Sequence, residues 1–216
     1  RLTYFKKTRL PHTVPAVSAA GAIAIDLESG AILFQKNGND PYPTASVAKL
    51  MTAVIAEEHI SSSTIISADT HAINTYGNTG GIVNGESFMA RDLLYGLLLP
   101  SSNDAARMFE FAHPDFVALM NEKAGELGMA HTHFADASGL HEDTIASSRD
   151  LALLLQYILV SHPGIAIVSR TRTSTVISRG RKLRHIWDNI NWPAGDARFI
   201  GGKAGFTDES LQTMAG

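Results

Sequence analysis

Apolar and polar positions change period along this chain, and each change marks an element. Ala20 to Asp26 is an apolar run of strand length, Glu28-Ser29-Gly30 supplies a turn, and Ala31 to Lys36 returns. That pattern predicts an opening β-hairpin. Asn37-Gly38, Pro41 and Pro43 then break the alternation and lead into a loop. From there Val47, Leu50, Met51, Val54 and Ile55 fall at the spacing of an amphipathic helix. Further helices are predicted over Asp92 to Leu99, stopped by Pro100; over Asp104 to Ala112, before Pro114; and over Phe116 to Leu127, stopped by Gly128. Ser147-Ser-Arg-Asp150 reads as a capping box opening a helix over Leu151 to Leu159, which ends before Pro163-Gly164. Thr173 to Ser178 alternates like a strand, and Gly201 to Thr207 with Ser210 to Ala215 form a final predicted strand pair.

Strands therefore come first and last, with helices and no strands between residues 90 and 160. This order predicts an α+β fold whose two chain ends meet in one mainly antiparallel sheet, with a helical lobe inserted between them. No repeat or low-complexity stretch interrupts it.

Composition narrows the function classes. With 216 residues, 44% hydrophobic and 18% charged, the chain can bury a substantial core and is not a disordered sequence. A net charge of −3 disfavours a dedicated nucleic-acid binder. The count of cysteines is 0, which removes disulfides, thiolate metal sites and cysteine nucleophiles together. The chain opens on Arg1 without a signal-peptide apolar core, so it reads as an excised or processed piece from which any export signal is absent. The segment Arg170 to Arg184 carries six basic side chains and no acid, which reads as a solvated strand pair or hairpin in preference to a polyanion site.

Three short patterns carry chemistry. Ser46-Val-Ala-Lys49 opens the Val47 helix, where a three-residue spacing puts both side chains on one face. A serine in a first helical turn can attack a carbonyl while its own N–H helps hold the oxyanion. The lysine can take the hydroxyl proton if burial or a neighbouring cation lowers its pKa. Chance alone gives about 0.6 such matches at this composition, so the motif needs its context. Ser101-Ser-Asn103 sits in a rigid break between two helices and could supply a serine relay and an amide clamp, or simply cap the next helix. Lys203-Ala-Gly205 is the one of three K-x-G matches on a predicted strand after a Gly-Gly pair. There a lysine can meet a carboxylate, and a glycine lets a substrate backbone come close.

In this order S-x-x-K, S-x-N and K-x-G resemble the motifs of penicillin-binding serine acyltransferases. The segments Pro43 to Thr52, Gly96 to Ala105, Thr132 to Leu140, Ser148 to Asp150 and Gly202 to Thr207 resemble the low-molecular-mass D-alanyl-D-alanine carboxypeptidases of serine peptidase family S11, across residues 20 to 215. The resemblance implies a β-lactamase/transpeptidase-like fold and a single catalytic domain over 1–216, with 17–45 and 165–216 as the sheet lobe and 46–164 as the mostly helical lobe. It implies Ser46 as nucleophile, Lys49 as base and Ser101 as the proton relay to the leaving D-alanine. Asn103 would hold the substrate amide, and Lys203 would attract the terminal carboxylate and help lower the pKa of Lys49. The N–H groups of Ser46 and Phe206 would form the oxyanion hole, with Gly205 and Thr207 beside the substrate. The implied partners are peptidoglycan stem peptides ending in D-Ala-D-Ala and β-lactams as covalent inhibitors, with no cofactor. The compartment follows from the substrate: the periplasm or the outer face of the cell membrane, reached through a signal peptide absent from this chain.

Two departures stand out. The family carries Thr or Ser where this chain has Ala204, whose hydroxyl normally helps bind the carboxylate. The family also continues past Gly216 with a further strand and helix, so the C-terminal end of the fold is expected to be missing. Rival readings remain. Class A β-lactamases need a glutamate with an asparagine four residues on, which none of Glu110, Glu122, Glu126 and Glu142 has. Tyr76-Gly-Asn78 fits the Y-x-N motif of class C enzymes but follows no long helix. Ala204 could mark a degenerate sensor that binds stem peptides without turnover, and a DD-endopeptidase would share every motif. His131, His133, Asp136 and His141 form a candidate metal cluster, set aside because nine histidines make such clusters common.

Overall fold

The computed structural model describes residues 16–77 and 79–216. The opening hairpin pairs β1 (Ala22–Ile25) antiparallel with β2 (Ile32–Lys36), Ala22 opposite Lys36 and Ile25 opposite Ile32. Its turn is closed by Asp26, whose carbonyl accepts from Gly30 N at 2.8 Å. After β3 (Pro41–Pro43) a 3-10 turn over Ala45–Ala48 runs into α1 (Lys49–His59).

The helix α1 is more deeply placed than an amphipathic pattern implies. Every residue from Lys49 to Ala56 is buried, Thr52 included, whose hydroxyl donates to Ala137 O at 2.6 Å. Around it pack α2 (Ala90–Leu98), α3 (Asn103–Ala112), α4 (Phe116–Glu126), α5 (Ser148–Ser161) and α6 (Pro163–Arg170). The serine caps form, but the Asp150 carboxylate accepts from His131 N and the Thr132 hydroxyl instead of closing the predicted capping box. Ser102 Oγ accepts from Ala105 N and Ser147 Oγ from Asp150 N, each at 3.1 Å. Pro163 does not end the helical region. It occupies the first turn of α6, where its missing N–H costs nothing, and the chain turns through 105° between α5 and α6. Among the described residues no single helix is long and apolar enough to cross a membrane.

The strands form five separate antiparallel pairs among the described residues. Three join segments distant in sequence or the middle of the chain: β3 with β6 (Ile145–Ser147), β4 (Ile65–Ser67) with β5 (Ser87–Met89), and β7 (Thr173–Ile177) with β8 (Arg184–Asp188). The last is β9 (Lys203–Thr207) with β10 (Leu211–Ala215), Lys203 opposite Ala215.

The fold is α+β, with antiparallel strand pairs contributed by both ends of the chain. Both end hairpins pack on α5, yet they do not pair with each other. Residues of both hairpins, with Ser46, Ser101 and Asn103, line one large cleft.

Candidate active site

The 3-10 turn that carries Ser46 is clamped from two sides. Ala45 has a left-handed φ of 47°, uncommon for a residue with a side chain. On one side lies Gly139, where any Cβ would collide with the Ala45 carbonyl. On the other lies Gly205 of β9, where a Cβ would fall 2.7 Å from Ser46 N. Only glycine lets these two backbones close on the turn. Thr213 Oγ1 donates to Thr44 O at 3.0 Å and Thr44 N to Thr144 O at 3.0 Å, fixing the approach to Ser46 as well.

Lys49 lies one turn on, fully buried. Its Nζ donates to Ser46 Oγ at 2.9 Å, Asn103 Oδ1 at 2.7 Å and Ser138 O at 2.8 Å. No carboxylate pairs with it among the described residues. Burial pushes its pKa well below the ordinary lysine value, the charge of Lys203 pushes the same way, and Asp136 partly opposes them. Lys203 is equally buried and its Nζ donates to Ala204 O at 2.7 Å; burial brings its pKa down to about 7. Lys49, held against the Ser46 hydroxyl, is thus a base whose neutral form is favoured by burial and by the charge of Lys203.

The Ser101-Ser102-Asn103 triplet divides its tasks. Ser102 caps α3, so the capping alternative holds for that residue. Asn103 faces Lys49, and its Nδ2 donates to Tyr76 O at 2.7 Å, which fixes the orientation of the amide. Ser101 adopts a left-handed φ of 65° and is buried, and its hydroxyl has no hydrogen-bond partner among the described residues. Ser46, Ser101, Asn103, Ala204, Gly205, Phe206 and Thr207 all line the large cleft. Phe206 is exposed there. The Thr207 hydroxyl is already bonded to Ser210 Oγ at 2.9 Å inside the β9–β10 turn.

Sequence reasoning missed three supports. Asp136 accepts from Ser138 N at 3.2 Å, Gly139 N at 3.1 Å, Leu140 N at 3.2 Å and Thr144 Oγ1 at 2.7 Å, and also from Ser138 Oγ. This turn aims Ser138 O at Lys49, and Asp-x-Ser-Gly is the turn chemistry that could have announced it. Burial pushes the Asp136 carboxyl up, but bonds from Ser138, Thr144 and the turn amides outweigh it and hold the pKa below its ordinary value. Asn191, also buried, accepts from Ala204 N at 2.6 Å and donates to Gly202 O at 3.3 Å, anchoring the start of β9. The carbonyls of Tyr76 and Gly77 are backbone groups and leave no sequence signal. Trp187 Nε1 donates to Gly80 O at 2.8 Å and braces their loop.

Tyr76 of the rival Y-x-N motif also lines the cleft. Tyr76 is 86% exposed and meets Asn103 through its carbonyl; Asn78 lies outside the described residues. His133 pairs through its backbone with Ile145, and the His131 N–H and Thr132 hydroxyl bond Asp150 Oδ2. Among the described residues no three His, Asp or Glu side chains gather as a metal site.

Comparison with known proteins bears on this arrangement directly. A family model described as peptidase S11, D-alanyl-D-alanine carboxypeptidase, matches residues 8–216. The chain belongs to that family of serine peptidases. It is 29% identical over 211 residues to a D-alanyl-D-alanine carboxypeptidase of Mycobacterium tuberculosis, covering 94% of this chain and 71% of the relative. It is likewise 29% identical to a D-alanyl-D-alanine endopeptidase of Pseudomonas aeruginosa, covering 90% of this chain and 65% of that one. A crystal structure of a D-alanyl-D-alanine carboxypeptidase from M. tuberculosis superposes with a TM-score of 0.87 at 29% identity, over 95% of this chain and 79% of that one. This family member thus brings Ser46, Ser101, Asn103 and Gly205 to one cleft, with Lys49 and Lys203 buried and Ala204 in the third motif.

Proposed function

We propose that this serine peptidase is a D-Ala-D-Ala carboxypeptidase that acts on peptidoglycan stem peptides outside the cytoplasm and is acylated by β-lactams. The observation that carries the proposal is the 2.9 Å contact between Ser46 Oγ and a Lys49 amine buried without an acid partner. Neutral Lys49 takes the Ser46 hydroxyl proton as Oγ bonds to the carbonyl carbon of the penultimate D-alanine. The oxygen of the tetrahedral intermediate is held by the N–H groups of Ser46 and Phe206. The C–N bond then breaks, and the proton reaches the departing amine through Ser101, whose hydroxyl is free of other bonds. Lys203 attracts the terminal carboxylate, and Asn103 holds the substrate amide. Water hydrolyses the resulting ester.

The test is intact-mass spectrometry after incubation with benzylpenicillin. The expected result is one added penicilloyl group per chain, absent in Ser46→Ala. Unmodified mass at millimolar penicillin would overturn the reading. Two alternatives of the same fold have specific support. The similarity to an endopeptidase favours cross-link cleavage, and the missing hydroxyl at Ala204 favours a sensor without turnover. Release of D-alanine from a D-Ala-D-Ala peptide beyond one equivalent per chain separates the carboxypeptidase from both.

A further inference from the structure

The catalytic cleft does not use the chain's densest basic segment. Arg170, Arg172, Arg179, Arg181, Lys182 and Arg184 account for 6 of the 18 basic residues, within a chain whose 21 acids leave it net negative. Charge is therefore segregated: this segment carries +6 and the rest of the chain −9. All six side chains are exposed, and none forms an ion pair among the described residues. They occupy the end of α6 and the β7–β8 hairpin with its tip.

The hairpin has two faces. Val176, His185 and Trp187 point inward, where His185 Nε2 meets the buried Glu86 carboxylate at 2.7 Å and Trp187 stacks beside it. The outward face carries Ile177 opposite Arg184 and Thr175 opposite Ile186, and at the far end from the tip Thr173 opposite Asp188, whose carboxylate accepts from the Thr173 hydroxyl at 2.6 Å. Ile177 is 64% exposed, Ile186 57% and Leu183, at the tip, 41%. The tip is held in place. Arg179 N donates to Ser87 O at 2.7 Å, Ser87 N returns to Arg179 O at 3.2 Å, and the Arg181 side chain lies over Gly85. This is a rigid platform of unpaired cations interleaved with branched apolar side chains.

We propose that the outer face and tip of the β7–β8 hairpin dock on an anionic lipid bilayer. Charge complementarity selects a polyanionic surface, because cations near such a surface are attracted within about a Debye length and largely additively. The exposed Ile177, Leu183 and Ile186 select lipid over a soluble polyanion. A polyanion in water offers these side chains nothing, whereas a bilayer interface accepts arginine and isoleucine side by side. The face lies opposite the side chains that brace the active-site loop, so docking leaves Ser46 and its partners untouched. The proposal stands independently of the peptidase reading.

The test is co-sedimentation of the full chain with vesicles, read alongside penicillin acylation as a check of the fold. Binding is expected to vesicles of phosphatidylcholine with 40% phosphatidylglycerol, not to phosphatidylcholine alone, and to weaken with salt. Each cation removed should weaken partitioning about fivefold, so Arg179→Ser with Arg181→Ser and Arg184→Ser should lose about a hundredfold. Should the triple variant lose acylation, the single Arg181→Ser and Arg184→Ser changes carry the same test at about fivefold each. Ile177→Ser with Ile186→Ser should weaken vesicle binding about tenfold while leaving any binding to polyglutamate unchanged. No binding to anionic vesicles, or binding that these arginine variants leave intact, overturns the proposal. Vesicle binding insensitive to the isoleucine pair and abolished by equimolar polyglutamate also overturns it, in favour of a soluble polyanion.

Discussion

The two ends of α1 hold lysine in opposite circumstances. At its start, Lys49 and nearby Lys203 are buried with no carboxylate, and both have pKa values driven down. At its end, about 14 Å along the axis, Lys123 of α4 sits 2.6 Å from Glu126 and 3.0 Å from Glu58. Hydrogen bonding to Glu126, and then to Glu58, holds its ammonium form well above the ordinary range in spite of some burial. Glu58 also accepts from Tyr157 at 2.6 Å and faces His162 Nε2 at 3.1 Å. Burial pushes the Glu58 carboxyl up, but bonds from Tyr157, Lys123 and His162 outweigh it and bring the pKa below its usual value. One helix therefore carries a reactive amine at one end and a locked ion pair at the other. The difference lies in the partners and not in the residue type. A lysine becomes a base where burial and a like charge are left uncompensated, and a structural cation where acids surround it.

The largest way to break this comparison is Ser46→Ala, which should reduce acylation by benzylpenicillin at least a thousandfold. Stability should change by no more than about 2 kcal/mol, the upper range for a lost helix-terminal hydroxyl. Undiminished labelling would mean that the buried amine at the start of α1 serves another nucleophile.

Ala204→Thr sharpens the cleft side by giving the substrate carboxylate a hydroxyl beside Lys203. A hydrogen bond to a charged group contributes roughly 1.5–3 kcal/mol, so acylation by a D-Ala-D-Ala peptide should accelerate about 10- to 150-fold. The engagement of Thr207 and Ser210 with each other strengthens this expectation, since neither hydroxyl stands in for the missing one. A gain under threefold would show that position 204 does not reach the carboxylate.

The pH profile tests the proton assignment. Acylation should rise as Lys49 loses its proton, well below the ordinary lysine value, and fall again as Lys203, with a pKa of about 7, becomes neutral and releases the carboxylate. A peptide ester lacking the terminal carboxylate should keep the rising limb and lose the falling one. A single limb near 10 for both substrates would contradict the picture.

Stability measurements contrast the two ends most directly, with the smallest effects. The folded Lys203 pKa lies below its unfolded value, so the folded state gives up that proton first. Stability then rises with pH from about 7 toward 10.5, and at pH 7 the buried ammonium is a burden. Lys203→Met should therefore raise unfolding stability at pH 7 by on the order of 2 kcal/mol and flatten that slope. Lys123 has a raised folded pKa, so its contribution is fully present below 10.5 and is lost only in stronger alkali. Lys123→Met should lower stability at pH 7 by about 1 kcal/mol, since its partners are partly solvated. Denaturant titration of both variants at pH 7 and pH 9 checks the opposite signs.

What local chemistry dictates was legible in the chain. The helix starts at Ser102 and Ser147, the stop at Gly128, and the hairpins at both ends rest on backbone geometry and capping that neighbouring residues supply. The three motifs could likewise be read in order, because each needs only a few adjacent residues. Short-range pattern could not place Pro163, which a sequence scores as a breaker and α6 uses as an opening residue. The same holds for the site. Ser46 and Lys49 are neighbours on the chain, whereas Asn103, the Ser138 carbonyl and Lys203 come from segments 54, 89 and more than 150 residues away. The sequence by itself determined which side chains were available and where the helices begin. Only the tertiary structure decided that two lysines would be buried together without an acid while a third was given two, because desolvation and charge pairing depend on neighbours in space.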